Sequence, residues 1–145
     1  QSWQQAGRRR RHDGGISFRI ADRTIDADAV VIAAGADSGR LLKGIGISLP
    51  MYPVKVYSAS TQIQEYDLAP NISLYDDTYR VALTRLGKRI RIAGCAELGS
   101  SSFDLHQKAI NTLVKVADDW FPNAANYRTA NFWTGPVAML PEGYR

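Results

Sequence analysis

An α+β fold, with an alternating sheet covered by one main helix, follows from three features of these 145 residues. Residues 29–34 (AVVIAA) are apolar at every position, as in a strand covered on both faces. Residues 79–98 hold two alternating runs that meet at Gly87-Lys88. Residues 101–122 place apolar side chains at helical spacing and end at Pro122.

The composition is that of a globular domain with a real core, 45% hydrophobic and 22% charged. No apolar run approaches the ~18 residues of a transmembrane segment. The chain begins at Gln1 with no signal-type stretch, so the first residue is expected to be a processing product or the chain a piece of something longer. Six arginines and two aspartates in residues 1–23 account for the whole net charge of +4, and the remainder is balanced. Residues 1–15, with the run Arg8–Arg11, therefore read as a basic arm. It is either a phosphate- or membrane-surface contact or a solvated, poorly ordered terminus. No aromatic or amphipathic pattern accompanies the arginines, which favours the solvated terminus and makes nucleic-acid binding the weakest functional reading.

Taken in order, "ISFRI" (16–20) and "RTIDA" (23–27) predict a hairpin that leads into the apolar strand at 29–34. Gly35 ends that strand, and Asp37 or Ser38 can cap a short helical turn through Leu41 and Leu42. The Gly- and Pro-containing stretch 44–53 is a loop, and the main boundary falls at residue 50. "VKVYSASTQI" (54–63) alternates as a long strand, and "ISLYDD" (72–77) predicts a short one. With Gly87-Lys88 as a two-residue turn, Leu86 pairs with Arg89, Thr84 with Arg91 and Leu83 with Ile92. Val81, Leu83, Ile90 and Ile92 then share one face; a one-residue slip would mix the faces. In the helix, Asp104 and Gln107 have capping-box spacing, and Ala109, Leu113, Val116, Ala117 and Trp120 form the buried stripe. "YRTANFWTG" (127–135) predicts a last strand.

No catalytic constellation stands out. His12 lies in the arm, and His106, in the first turn of the predicted helix, reads as a surface side chain. The single cysteine, Cys95, excludes an internal disulfide and a cysteine-based metal site, and reads as a small core residue. Asp76-Asp77 and Asp118-Asp119 are adjacent pairs whose side chains diverge, so no metal is expected. Walker and G-x-G-x-x-G motifs are absent from the sequence.

Five stretches, in order, carry a resemblance: "DADAVVIAAGADSGRLL", "LPMYPVKVYS", "YDDTYRVALTRLGKRIRIAGCAEL", "LVKVADDWFP" and "NFWTG…MLPEG". They resemble the D-amino acid oxidase-like flavoproteins, and within them the FAD-dependent D-amino acid dehydrogenase small-subunit family. The resemblance implies that residues 16–50 are the C-terminal part of a Rossmann-like FAD-binding domain. Residues 51–145 would then be an incomplete substrate-binding domain with a mixed or antiparallel sheet. It places Ala34 and Gly35 beside the flavin, where small residues let backbone approach. Lys55 and Tyr57 match the family's PVKGYS-like motif, with Val56 at its glycine. Trp133 and Gly135 match the segment that runs toward flavin and substrate. Val137 stands where the family has an arginine resembling the carboxylate clamp of related oxidases.

The implied reaction is oxidative deamination of a D-amino acid to a 2-oxo acid and ammonia, with electrons passed to an acceptor other than oxygen. The implied location is the cytoplasm, at the inner membrane surface. Without the glycine fingerprint, the 145 residues alone are expected to bind no FAD and to be inactive. The uncovered sheet face is expected to drive self-association. The alternative is a non-catalytic interaction module that keeps the sheet and has lost the chemistry.

Overall fold

The computed structural model describes residues 16–20 and 22–141. The predicted basic arm lies outside the described residues. Contacts divide the chain into two compact units: the described residues up to Tyr52 together with those from Ala138 onward, and Pro53–Val137.

In the first unit, β1 (Ile16–Ile20) and β2 (Arg23–Ala27) form the predicted antiparallel hairpin, with Ile16 opposite Ala27 and Ile20 opposite Arg23. Residues 29–34 depart from expectation. They pair with no strand among the described residues, and Val31 is 90% exposed. An all-apolar strand is made by neighbours on both edges and layers on both faces, so its sequence alone cannot form it. Gly35 then opens a 3-10 turn that continues into α1 (Ser38–Lys43). Asp37 takes the N-cap position, as predicted, without a side-chain cap hydrogen bond: it pairs with Arg40 at 3.2 Å, and Ser38 Oγ accepts the Ala34 N–H at 3.0 Å.

The second unit is built on a five-stranded sheet. Its strands are β3 (Tyr52–Gln62), β4 (Leu74–Asp76), β5 (Val81–Leu86), β6 (Arg89–Leu98) and β7 (Asn131–Met139), in the spatial order β4-β5-β6-β3-β7. The β5–β6 hairpin has the predicted register, with Leu86 opposite Arg89, Thr84 opposite Arg91 and Leu83 opposite Ile92. Gly87 supplies the positive φ (+60°) that the first turn residue needs. Val81, Leu83, Ile90 and Ile92 are all completely buried.

Helix α2 (Gln107–Trp120) lies on that buried face. Its Ala109, Leu113, Val116 and Ala117 join Tyr57, Ala59 and the hairpin residues in one core. The helix starts later than the sequence suggests. His106, with extended backbone, is its N-cap residue, and no Asp104–Gln107 capping box forms because residues 101–106 take no helical structure. Trp120 is half-exposed instead of buried, and its Nε1–H donates to Asp76 Oδ2 at 2.8 Å. The indole thereby ties the helix end to strand β4, where a burial slot would leave its N–H without a partner.

One irregularity sets the chemistry of the sheet. Val56 pairs with Ala96, but Tyr57 pairs with Gly94, so Cys95 is an extra residue on β6. It takes a left-handed φ of +57°, a β-bulge where the sequence predicts a regular strand position. Its half-buried side chain still packs against the core, and burial pushes the thiol pKa up. Gly94 beside it has no room for a side chain: a Cβ would lie 2.6 Å from the Arg80 carbonyl oxygen.

Candidate functional site

The predicted site residues fall in separate places and are best built up unit by unit. Along β3, residues 55, 57, 59 and 61 alternate onto the buried face. Lys55 and Tyr57 therefore point into the second unit, with 0% and 1% of their surfaces exposed. A lysine so placed needs partners for its charge. Lys55 Nζ donates to Ser102 Oγ at 3.1 Å, lies 3.8 Å from Glu97 Oε2 and stands 5.2 Å from the Tyr57 ring centroid.

Glu97 is the hub. Its Oε1 accepts the Tyr57 hydroxyl at 2.7 Å and lies 2.9 Å from His106 Nδ1. The Tyr57 hydrogen bond holds this carboxyl below the usual carboxylate range, with His106 and Lys55 adding to the effect and partial burial opposing it. Glu97 thus meets Lys55 and Tyr57 as an anion. No buried side-chain nitrogen or oxygen among the described residues lacks a hydrogen-bond partner. The cluster is internally satisfied, which suits a clamp that fixes strand and loop positions.

The sequence reading missed Glu97 and set His106 aside for a physical reason. Strict alternation from Ile90 and Ile92 puts residue 97 on the opposite face. The bulge at Cys95 inserts one residue and returns Glu97 to the face of Lys55 and Tyr57. Gly94 inside a strand pattern was the available signal of a bulge.

On β7, Trp133 is half-exposed and Gly135 is buried. A Cβ at Gly135 would lie 2.7 Å from the Trp133 ring and in ordinary contact, 3.5 Å, with the Phe103 ring. A side chain at this position would therefore displace the half-exposed Trp133 ring. Thr134 turns inward and donates to the Val56 carbonyl oxygen at 2.9 Å, anchoring β7 to β3. Val137 is partly exposed near the end of the strand. Two open grooves flank α2, one lined by Gln64, Asp118 and Tyr127, the other by Ile110, Lys115 and Phe132. Neither includes Lys55, Tyr57, Trp133 or Gly135. Among the described residues no group of three or more His, Cys, Asp or Glu could hold a metal ion.

In the first unit, Ala34 and Gly35 form the elbow before α1. The Ala34 carbonyl oxygen accepts the Asp37 N–H at 3.1 Å. Gly35 has φ +55°, and the space a Cβ would occupy is empty to 4 Å. Small side chains, an open flank and a turn that uses its own polar groups fit the edge of a flat cofactor. They offer nothing shaped for a pyrophosphate, which needs a glycine-rich turn at a longer helix.

A family model for FAD-dependent oxidoreductases matches residues 4–145. The chain belongs to this family. Members are FAD-dependent. Over 117 residues the chain is 44% identical to a D-amino acid dehydrogenase from Vibrio atlanticus (strain LGP32), covering 81% of this chain and 28% of that protein. The chain thus spans little more than a quarter of the curated relative's length. Among solved structures, glycine oxidase from Geobacillus kaustophilus matches 95% of this chain and 36% of its own, with a TM-score of 0.76 at 22% identity. L-proline dehydrogenase from P. horikoshii matches 93% of this chain and 37% of its own, with a TM-score of 0.72 at 17% identity. These two likenesses concern the fold: a mixed α/β chain with antiparallel sheets and two described helices. No described helix is long and apolar enough to cross a membrane.

Proposed function

We propose that this chain is the part of an FAD-dependent D-amino acid dehydrogenase that carries the substrate-side sheet. It would be accompanied by a C-terminal piece of the Rossmann-like FAD-binding domain. The observation that carries this reading is the 44% identity to a D-amino acid dehydrogenase over 81% of the chain. In the complete protein, bound FAD would accept two electrons from the substrate Cα–N unit, giving an imino acid that hydrolyses to a 2-oxo acid and ammonia.

The chain's own residues would divide the work. Ala34 and Gly35 would lie along the cofactor's edge, leaving room for it. Lys55 and Tyr57 would act from beneath the sheet, holding β3 through Glu97. Trp133 and Gly135 would shape the face that orients the substrate, an orientation worth several orders of magnitude in rate. The family arginine that would clamp a carboxylate is Val137 here. An apolar side chain forgoes a charge-assisted contact of ~1.5–3 kcal/mol. That substitution favours a second reading, in which the chain is a non-catalytic interaction module.

On the first reading these 145 residues bind no FAD and turn over nothing by themselves. The parent protein would work in the cytoplasm at the inner membrane surface, passing electrons to an acceptor other than oxygen. The exposed Ile25, Val31, Ile47 and Leu49 of the first unit support self-association of the isolated chain. The test is an absorbance spectrum of the purified chain after incubation with FAD, with D-alanine-dependent dye reduction by the complete reading frame. No flavin band from the chain and turnover by the complete protein are expected. Stoichiometric FAD on the 145 residues would overturn the division of labour, and a complete protein inert toward D-amino acids would favour the interaction module.

A further inference from the structure

We propose that the Arg89 end of the five-stranded sheet, on the face away from α2, binds the phosphate group of a small soluble molecule. The inference does not rest on the proposed reading, and its site lies on the opposite face of β3 from Lys55 and Tyr57.

The strand period places it. On β3, residues 55, 57, 59 and 61 are buried, so Ser58, Ser60 and Gln62 face the other way. On β6, Ile90 and Ile92 are buried, which turns Arg89 and Arg91 to that same outer face. The register sets Gln62 opposite Arg89 and Ser60 opposite Arg91, so two arginines flank one serine. An open cleft of about 350 Å³ lies at this end, with Ser60, Gln62, Arg89 and Asn131 in its lining. Arg89 is the single charged side chain that lines it, and no carboxylate does.

Arg89 is held ready by neutral groups. Its Nε–H donates to Ser60 Oγ at 2.9 Å, and Nη2 donates to the Ser60 carbonyl oxygen at 3.0 Å. Both bonds go to one residue, which fixes the guanidinium plane and leaves Nη1 free to donate. Ser60 Oγ accepts in that pair and so keeps its own hydrogen to give. The side-chain amides of Gln62 and Asn131 make no hydrogen bond among the described residues. Neither Arg89 nor Arg91 has an ion pair there, whereas Lys55, Arg80 and Lys115 of the same unit each face a carboxylate.

A fixed guanidinium with spare donors and no counter-ion is complementary to an oxyanion. The spare donors come from three strands, β3, β6 and β7, which suits a tetrahedral phosphate better than a flat carboxylate. The cleft volume is that of a small-ligand site and exceeds what a bare ion fills, so the phosphate would be carried on an organic molecule.

Inorganic phosphate is the probe. It is titrated into the isotope-labelled full chain at pH 7 and constant ionic strength, with side-chain amide and arginine Nε resonances followed by NMR. Saturable shifts at Gln62, Arg89 and Asn131 are expected. Arg89→Gln should weaken binding roughly tenfold or more, and Arg91→Gln by less. Lys88→Gln removes the same charge from the adjacent turn, outside the cleft, and should bind as the parent does. All three side chains are exposed, and the backbone spectrum shows whether each variant keeps the fold. Shifts that never saturate, equal affinity in the parent and Arg89→Gln, or equal weakening by Lys88→Gln would overturn the site. Binding to phosphatidylglycerol vesicles with no saturable response to free phosphate would overturn the soluble ligand. The readout needs no flavin or amino acid. Phosphate binding in a complete protein that turns over no amino acid would keep this inference and remove the proposed function, and the converse result would do the opposite.

Discussion

Tyr57 Oη donates a 2.7 Å hydrogen bond to Glu97 Oε1, joining β3 to β6 across 40 residues of chain. This bond is the main reason the Glu97 carboxyl is held below its ordinary range. A carboxyl of that kind stabilises the folded chain fully above its unfolded value of ~4.3, and the contribution is lost as pH falls through the lower folded value. Tyr57→Phe keeps the buried ring and removes the bond. The Glu97 carboxyl should then titrate higher by NMR, and the urea midpoint at pH 7 should fall while the acid-induced loss shrinks. A Glu97 titration identical in both proteins would refute the assignment.

Cys95 is a non-glycine residue held at φ +57°. Left-handed backbone costs an ordinary L-residue about 1–2 kcal/mol, and a β-branched side chain more. Cys95 already carries that cost, so Cys95→Val is expected to lose only the additional cost of its branched side chain in urea unfolding, whereas Cys95→Gly relaxes the backbone and keeps the bulge. If valine were tolerated without loss, the bulge would not be where the register places it.

Leu113 is fully buried on the sheet-facing side of α2. Leu113→Ala removes contacts to the hairpin and leaves a cavity, so a loss of ~2–5 kcal/mol is expected by chemical denaturation. Trp120→Phe, at the exposed end of the same stripe, should cost less and should raise the pKa of Asp76, whose carboxyl is lowered chiefly by the indole hydrogen bond. Equal losses at the two positions would contradict their different burial.

Burial pushes the Tyr127 phenol up to about 12, with the Asp118 charge adding to the effect. Its hydroxyl donates to the Phe121 carbonyl oxygen at 2.9 Å. The unfolded phenol ionises near ~10, so this contribution is complete below that pH and is lost as pH rises toward the folded value. Alkaline unfolding should therefore be shallower in Tyr127→Phe. Parallel alkaline curves for the two proteins would show that Tyr127 is not the group responsible.

Local patterns determined much of this protein. The β5–β6 register follows from a glycine-first turn and from faces that a slip would scramble, and four buried residues followed from it. Helix α2 and its stripe follow from a 3.6-residue period that needs no partner to be read. The family, too, was legible from five ordered stretches.

What tertiary structure decided lies where one residue's environment depends on another far along the chain. Residues 29–34 have the composition of a buried strand, but pairing requires neighbours, and none stands beside them among the described residues. Asp104 had cap spacing, yet the helix begins at Gln107 while Ser102 and His106 are tied to Lys55 and Glu97. The largest difference came from Cys95. A period of two predicts which face a strand residue occupies only while the period is unbroken. One extra residue reversed it, put Glu97 beside Lys55 and Tyr57, and made the polar clamp that no reading of β6 alone could place.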